Sequence, residues 1–305
     1  MPDGFVVRDL FPTHSLHLIY GPSGAGRSTL LFQTIWDWSH GKEVLGYQSI
    51  PASYALISAV QTRSEMRAHF SLLGMDPGLI PHLSLLEAAI PEDRTIEGAL
   101  RLARNIAPHL RVLFVDGLAG LCPGNINILR EAAQYLSGIR QLCFKQDLTI
   151  IGTVLCGKSD EESAVRHRPI GSAAWSEYTG TKICIEPVNA QKLDDPDRMI
   201  HIIPRAGSPT SKRYTLDPET HRLTPTEELG ASANALTEWL DQFQASEEIS
   251  VALILQAGAQ FGMSRATTYR WIKQCVELGV LVNAKRGYYI KPPAKVVPIS
   301  QTGTP

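Results

Sequence analysis

What the chain lacks narrows its class first. No apolar run approaches the roughly 20 residues that a helix needs to cross a bilayer, so no membrane partner is expected. The segment Met1-Pro2-Asp3-Gly4-Phe5 has no basic stretch followed by an apolar one, so no secretory leader is expected. Cysteine is scarce: Cys122, Cys143, Cys156, Cys184 and Cys275, an odd count with no C-x-x-C pair. That pattern excludes a disulfide scaffold, argues against a thiolate metal centre, and fits free thiols in a reducing cytoplasm. An excess of one sign of charge is also missing, the net charge being −1 from 29 basic and 30 acidic residues. With 44% hydrophobic and 19% charged residues over 305 positions, the chain fits one large globular domain and one small one.

What is present is organised around one stretch, Gly21-Pro22-Ser23-Gly24-Ala25-Gly26-Arg27-Ser28-Thr29. It follows the apolar run Leu16–Tyr20, which predicts a buried strand, and precedes Leu30–Trp36, which predicts a helix with one apolar side. Strand, glycine-rich turn and helix is the context of a phosphate-binding loop. The glycines allow a tight turn whose N–H groups share one hollow, and the positive end of the helix dipole faces it. A triphosphate is the expected ligand, held by residues 21–29. Mg²⁺ is the expected metal, held by the Ser28 hydroxyl, with Thr29 the weaker candidate. Arg27 stands where the pattern G-x-x-x-x-G-K-[ST] has lysine; it keeps the charge but is longer, planar and forked. The alternative is a glycine-rich turn with no ligand.

Further strands are predicted at Tyr54–Ala59, Arg111–Asp116 and Leu148–Leu155. They alternate with helices at Thr62 to Gly74, Thr95 to Ala107 and Ile126 to Gln146. Strands apolar on both faces argue for an α/β fold with a mainly parallel twisted sheet covered on both sides. Such sheets bind ligands beyond the C-terminal ends of their strands. Gly21, Asp116 and the Cys156-Gly157-Lys158 turn fall at that edge. Asp116 ends a buried strand and suits a second Mg²⁺ contact, or else simply caps the turn at Gly117. Closely spaced strands at 181–185, 199–203, 213–216 and 221–223 read as an antiparallel extension.

The C-terminal part differs. Ser246 to Lys295 carries seven basic residues against three acidic ones, while the remainder carries 22 against 27. Residues 224–246, with Pro225 and Gly230, read as a linker containing one amphipathic helix. Helices at Ile249–Ala257 and Arg265–Leu278, ended by Gly279, and a hairpin at Val280–Ile290 follow the winged-helix order. From Pro292 the tail reads as disordered. The helix from Arg265 is expected to bury Ala266, Tyr269, Ile272 and Val276 and to project Thr267, Thr268, Arg270, Trp271 and Lys273. Arg265, Thr268, Arg270 and Lys273 would then meet a DNA groove, and Lys285 and Arg286 on the wing would meet phosphates. Protein contact is the alternative use of such a module.

With these residues in view, the core resembles the RecA-like ATPases of the plasmid replication helicase RepA and replicative DnaB helicase group. The resemblance spans roughly residues 10–223. It rests on the phosphate loop, Asp116, the strand ending near Lys158, Gly171-Ser172-Ala173-Ala174, and Pro204-Arg205-Ala206-Gly207-Ser208-Pro209-Thr210. It implies a RecA-like P-loop domain at 1–223, a linker at 224–246, a winged helix at 247–291 and a tail at 292–305. It also implies a homo-oligomer, such as a hexameric ring, in which Arg205 reaches a neighbour's γ-phosphate, although a plain surface arginine would look the same. Two positions depart from the family: Arg27 in place of lysine, and Ala59-Val60-Gln61 in place of a glutamate that orients the attacking water. Gln61 can position a water without acting as a base; Glu65 lies a helical turn further on. The resemblance implies an ATP-binding motor that acts on DNA, a RepA-like helicase or loader ATPase, and the two departures imply weak hydrolysis. A non-hydrolysing, nucleotide-gated DNA-binding regulator is the competing expectation, and a small-molecule kinase is a weaker one.

Overall fold

The computed structural model describes residues 4–87, 94–156, 173–189, 196–205, 207–226, 231–245, 247–277 and 280–292, with the backbone alone at 231–234, 266, 274 and 277. Gly157, Lys158, Gly171, Ser172, Ala206, Gly230, Gly279 and the tail from 293, all named above, lie outside the described residues. The chain divides into two compact units, Met1–Pro225 and Thr226–Pro305.

The first unit opens with an antiparallel pair, β1 (Phe5–Val7) and β2 (Phe11–Pro12). Then come β3 (Leu16–Gly21), α1 (Arg27–Ser39), β4 (Tyr54–Ser58), α2 (Arg63–Leu72), β5 (His82–Ser84), α3 (Ile96–Ile106), β6 (Val112–Asp116), α4 (Leu129–Lys145) and β7 (Thr149–Leu155). A short helix α5 (Ala174–Glu177) leads into β8 (Lys182–Pro187), β9 (Asp197–Ile203), β10 (Thr210–Leu216) and β11 (Leu223–Pro225). Nine of these strands form one sheet in the order β11-β10-β9-β8-β3-β7-β6-β4-β5. From β8 to β5 every pairing is parallel; from β8 outward to β11 every pairing is antiparallel. This is the expected α/β arrangement, a mainly parallel sheet with an antiparallel extension.

The apolar strands are buried on both faces because alternate residues feed two cores. Ile19, Leu56, Phe114 and Ile151 pack on one side with Leu31, Phe32 and Ile35 of α1 and with Met66 and Phe70 of α2. Leu18, Tyr20, Ile57, Val115 and Ile150 pack on the other with Ala99 of α3 and with Leu136 and Ile139 of α4. His17 of β3 is fully buried between two fixed partners: its Nε2 lies 2.8 Å from Pro12 O, and its Nδ1 accepts from the Thr181 N–H at 3.0 Å. That pairing holds the neutral ring with its proton on Nε2, and burial pulls its pKa down to about 4.

The second unit holds α6 (Ala231–Leu240), β12 (Glu248–Ser250), α7 (Val251–Gln260), α8 (Arg265–Glu277), β13 (Val282–Lys285) and β14 (Tyr288–Ile290). The strands form a small antiparallel sheet in the order β12-β14-β13. Two sequence expectations change here. The helix assigned to the linker contributes Leu236 and Leu240 to the second core, so it belongs to this unit. Ile249 sits in β12, because Ser250 caps α7 by accepting from the Leu253 N–H at 3.2 Å.

Candidate functional site

β3 delivers Gly21 to the C-terminal edge of the sheet, pressed against β8. A Cβ on Gly21 would stand 2.0 Å from Ile185 O, so no side chain fits there. Gly24 and Gly26 take φ of 75° and 100°, the left-handed region that favours glycine, and turn the chain into α1. Gly26 caps α1 without any side-chain hydrogen bond, and the first turn of α1 has no acidic residue. The backbone donors of that turn therefore face the hollow with no carboxylate of their own.

β6 brings Asp116 to the same edge, 1% exposed. Ser28 Oγ donates to Asp116 Oδ1 at 2.9 Å, across 88 residues of sequence. Thr153 Oγ1 of β7 donates to the same oxygen at 2.8 Å, and Gln61 Nε2 donates to Oδ2 at 3.2 Å. Burial raises the Asp116 carboxyl above its ordinary value; hydrogen bonds from Thr153 and Ser28 and the charge of Arg27 pull the other way without prevailing. The structure thus brings together residues 21–29, Asp116 and Gln61, as the sequence suggested. It adds Thr153 and His69, which the sequence reading missed. Thr153 was visible as a hydroxyl in an apolar strand. His69 gave no signal: only folding brings its Nε2 to 3.1 Å from Thr29 Oγ1, where burial lowers its pKa.

Arg27 does not reach across the hollow. Its Nη1 donates to Gly21 O and, at 2.8 Å, to Pro22 O, so the guanidinium closes onto its own loop. A second cation at the loop was not anticipated. Arg198 of β9, 4% exposed, donates from Nε to Ala25 O at 2.9 Å. Glu65 has a different role from the catalytic one considered for it. It forms a capping box with Thr62, accepting from the Thr62 N–H at 2.7 Å. Arg205 is exposed and follows β9. Because β9 runs antiparallel, with Ile203 opposite Lys182 and Lys182 opposite Leu18, Arg205 lies at the edge of the sheet away from its own phosphate loop.

In the second unit, α8 shows a different face from the one expected. Thr268, Trp271, Ile272 and Cys275 are buried, whereas Tyr269 and Val276 are exposed. Thr268 is therefore withdrawn from the DNA-contacting set. It packs on Gly258, where a Cβ would stand 2.3 Å from its Oγ1, and its hydroxyl donates to Ser264 O at 3.0 Å. Arg265, Tyr269 and Lys273 share the outer face, with Arg265 over the Tyr269 ring and Arg270 half-buried beside them. Arg286 is exposed. Lys285 is paired with Glu248 at 2.6 Å, so its charge is already matched.

No curated protein matches the chain. Among solved structures, the KaiC-like protein PH0186 from the hyperthermophilic archaeon Pyrococcus horikoshii OT3 is similar at 13% identity, with 73% of this chain and 94% of that chain covered and a TM-score of 0.48. The family model AAA_25, described as an AAA domain, matches residues 5–161, just over half of the chain and the part that carries the loop, Asp116 and Thr153. The chain belongs to this family of AAA domains.

Proposed function

We propose that the first unit binds a magnesium-bound nucleoside triphosphate, ATP in the first instance, on residues 21–29. The observation that carries this reading is the hydrogen bond from Ser28 Oγ to Asp116 Oδ1, beneath a loop whose backbone donors lack a side-chain cap. A hydroxyl and a carboxylate sharing a contact at the mouth of a helix form the oxygen set that a hard cation takes. Bound Mg²⁺ would supply charge neutralisation on the phosphate oxygens. Ser28 and Asp116 would hold the ion, Thr153 would orient the Asp116 carboxylate, and the loop N–H groups would hold phosphate.

The wider reading is a RepA-like ATPase acting on DNA as a homo-oligomer. Arg205 lies on the edge away from its own loop, and in such an assembly it would serve a neighbour's nucleotide rather than its own. The second unit, read as a winged helix, would meet DNA through Arg265, Arg270, Lys273 and Arg286. Two observations favour the alternative, a non-hydrolysing, nucleotide-gated DNA-binding regulator. Arg27 is held by loop carbonyls, and the residue beside Asp116 is the amide Gln61, which cannot take a proton from water.

Calorimetry with Mg-ATP tests the binding site. Heat that disappears in Ser28→Ala supports it, and no heat from the unaltered chain overturns it. Turnover of Arg27→Lys with and without DNA then separates the two wider readings: turnover that rises with DNA supports the motor, and turnover at background supports the regulator.

A further inference from the structure

At the edge of the sheet away from the phosphate loop, where β3 and β7 begin, a cavity of about 370 Å³ opens beside the last turns of α4. Its lining combines cations with aromatic rings: Arg140, Phe144 and Lys145 from α4, Tyr178 after α5, and His14 ahead of β3. Arg140 and Phe144 are four residues apart, as are Gln141 and Lys145, so all four rise on one side of the helix. Phe144 is 79% exposed, the most exposed large hydrophobic side chain among the described residues.

The charges sort into two groups. Arg111 and His14 both pair with Asp147, so the acid next to the cavity is already matched. Arg140 and Lys145 make no ion pair among the described residues, and no carboxylate lines the cavity. Two unpaired cations, one a helical turn before an exposed ring and one next to it in sequence, match a ligand that carries anionic groups at intervals and a flat face. A ring as exposed as Phe144 leaves a stacked ligand open to water on its other face, whereas pockets for small ligands bury most of the ligand surface. A strand that lies across the site needs only one base on the ring and its phosphates on the flanks, the arrangement found in single-strand binding grooves.

We propose that this cavity binds single-stranded nucleic acid, with a base stacked on Phe144 and adjacent phosphates on Arg140 and Lys145. The site lies in the first unit and is independent of both the nucleotide loop and the exposed face of α8.

The test is fluorescence anisotropy of a labelled oligo(dT) strand with the full chain, in a background of R265A and K273A that removes two cations of α8. Phe144→Ala is expected to weaken binding at least tenfold. R140Q with K145Q is expected to reduce the slope of log affinity against log salt by about 1.4, for two phosphates on a single strand. All three residues are exposed, so the melting temperature should hold in both variants. The proposal is overturned if the background protein does not bind the strand, or if both variants bind as the background does. It is also overturned if free dTMP displaces the strand at equal nucleotide concentration, which would mark a mononucleotide site. A fourth overturning result is a Phe144→Ala protein that changes its mass in solution but keeps its oligo(dT) affinity, which would mark an interface between copies.

Discussion

Two helices leave the same edge of the sheet and begin in opposite ways. α2 closes its own start: Thr62 and Glu65 bond each other's backbone, and the Arg63 N–H donates to Glu87 Oε1 at 2.8 Å. α1 starts on Gly26 with no side-chain bond and no acid in its first turn. Both satisfy sheet topology, yet only α1 leaves its N–H groups for something outside the chain. A helix start that is left open at the end of a buried strand, beside a buried carboxylate, is chemistry kept in reserve; a capped one is finished structure.

The contrast can be broken at several points, taken here from the largest expected effect to the smallest. Gly21→Ala forces a Cβ into Ile185 O and should destabilise the first unit by roughly 3 kcal/mol, with nucleotide binding lost. Urea unfolding and calorimetry check both parts, and a stable, binding-competent variant would show that the tight loop is not what keeps α1 open. Acid should loosen the α1 side next. His17, on the strand that feeds α1, has its folded pKa depressed to about 4 against 6.5 unfolded. Its stabilising effect is complete above pH 6.5 and is lost as pH falls toward 4, a change of about 3 kcal/mol at 1.36 kcal/mol per unit. Hydrogen exchange should then show β3 amides losing protection before those of β4. Thr62→Ala should cost about 1 kcal/mol in unfolding free energy and leave nucleotide affinity unchanged, because it removes only a local cap. Asp116→Asn should cut Mg-nucleotide affinity at least tenfold while the melting temperature stays level or rises. Burial already disfavours the carboxylate, so the amide relieves a strain that only a bound cation would offset.

How legible this was depended on distance along the chain. The strand, loop and start of α1 were readable because apolar run, glycines and hydroxyls lie within fourteen residues of one another, Leu16 to Thr29. The N-cap at Thr95 was readable for the same reason, and its Oγ1 accepts from the Gly98 N–H at 3.1 Å. Asp116 was placed by the edge rule for α/β sheets, without knowledge of its partners. What failed were judgements that needed a partner from elsewhere. Thr268 looks like an outward polar residue until Gly258 of α7, which has no side chain, makes room for it. His69 and Arg198 carry no local mark at all, since their contacts to Thr29 and Ala25 span 40 and 173 residues.

The bond from Arg198 to Ala25 O has a mechanical corollary. The guanidinium is shut away from solvent, so releasing that carbonyl would strand a charge with reduced company in a dry interior. Any rearrangement of residues 21–29 around a guest must therefore drag β9 with it or suffer that penalty. Through Asp197, which binds Arg213 and Thr215 of β10, the tug passes on to the next strand. A guest that shifted residues 21–29 would thus be felt along the outer, antiparallel flank of the sheet, through contacts that already tie the loop to β9 and β9 to β10.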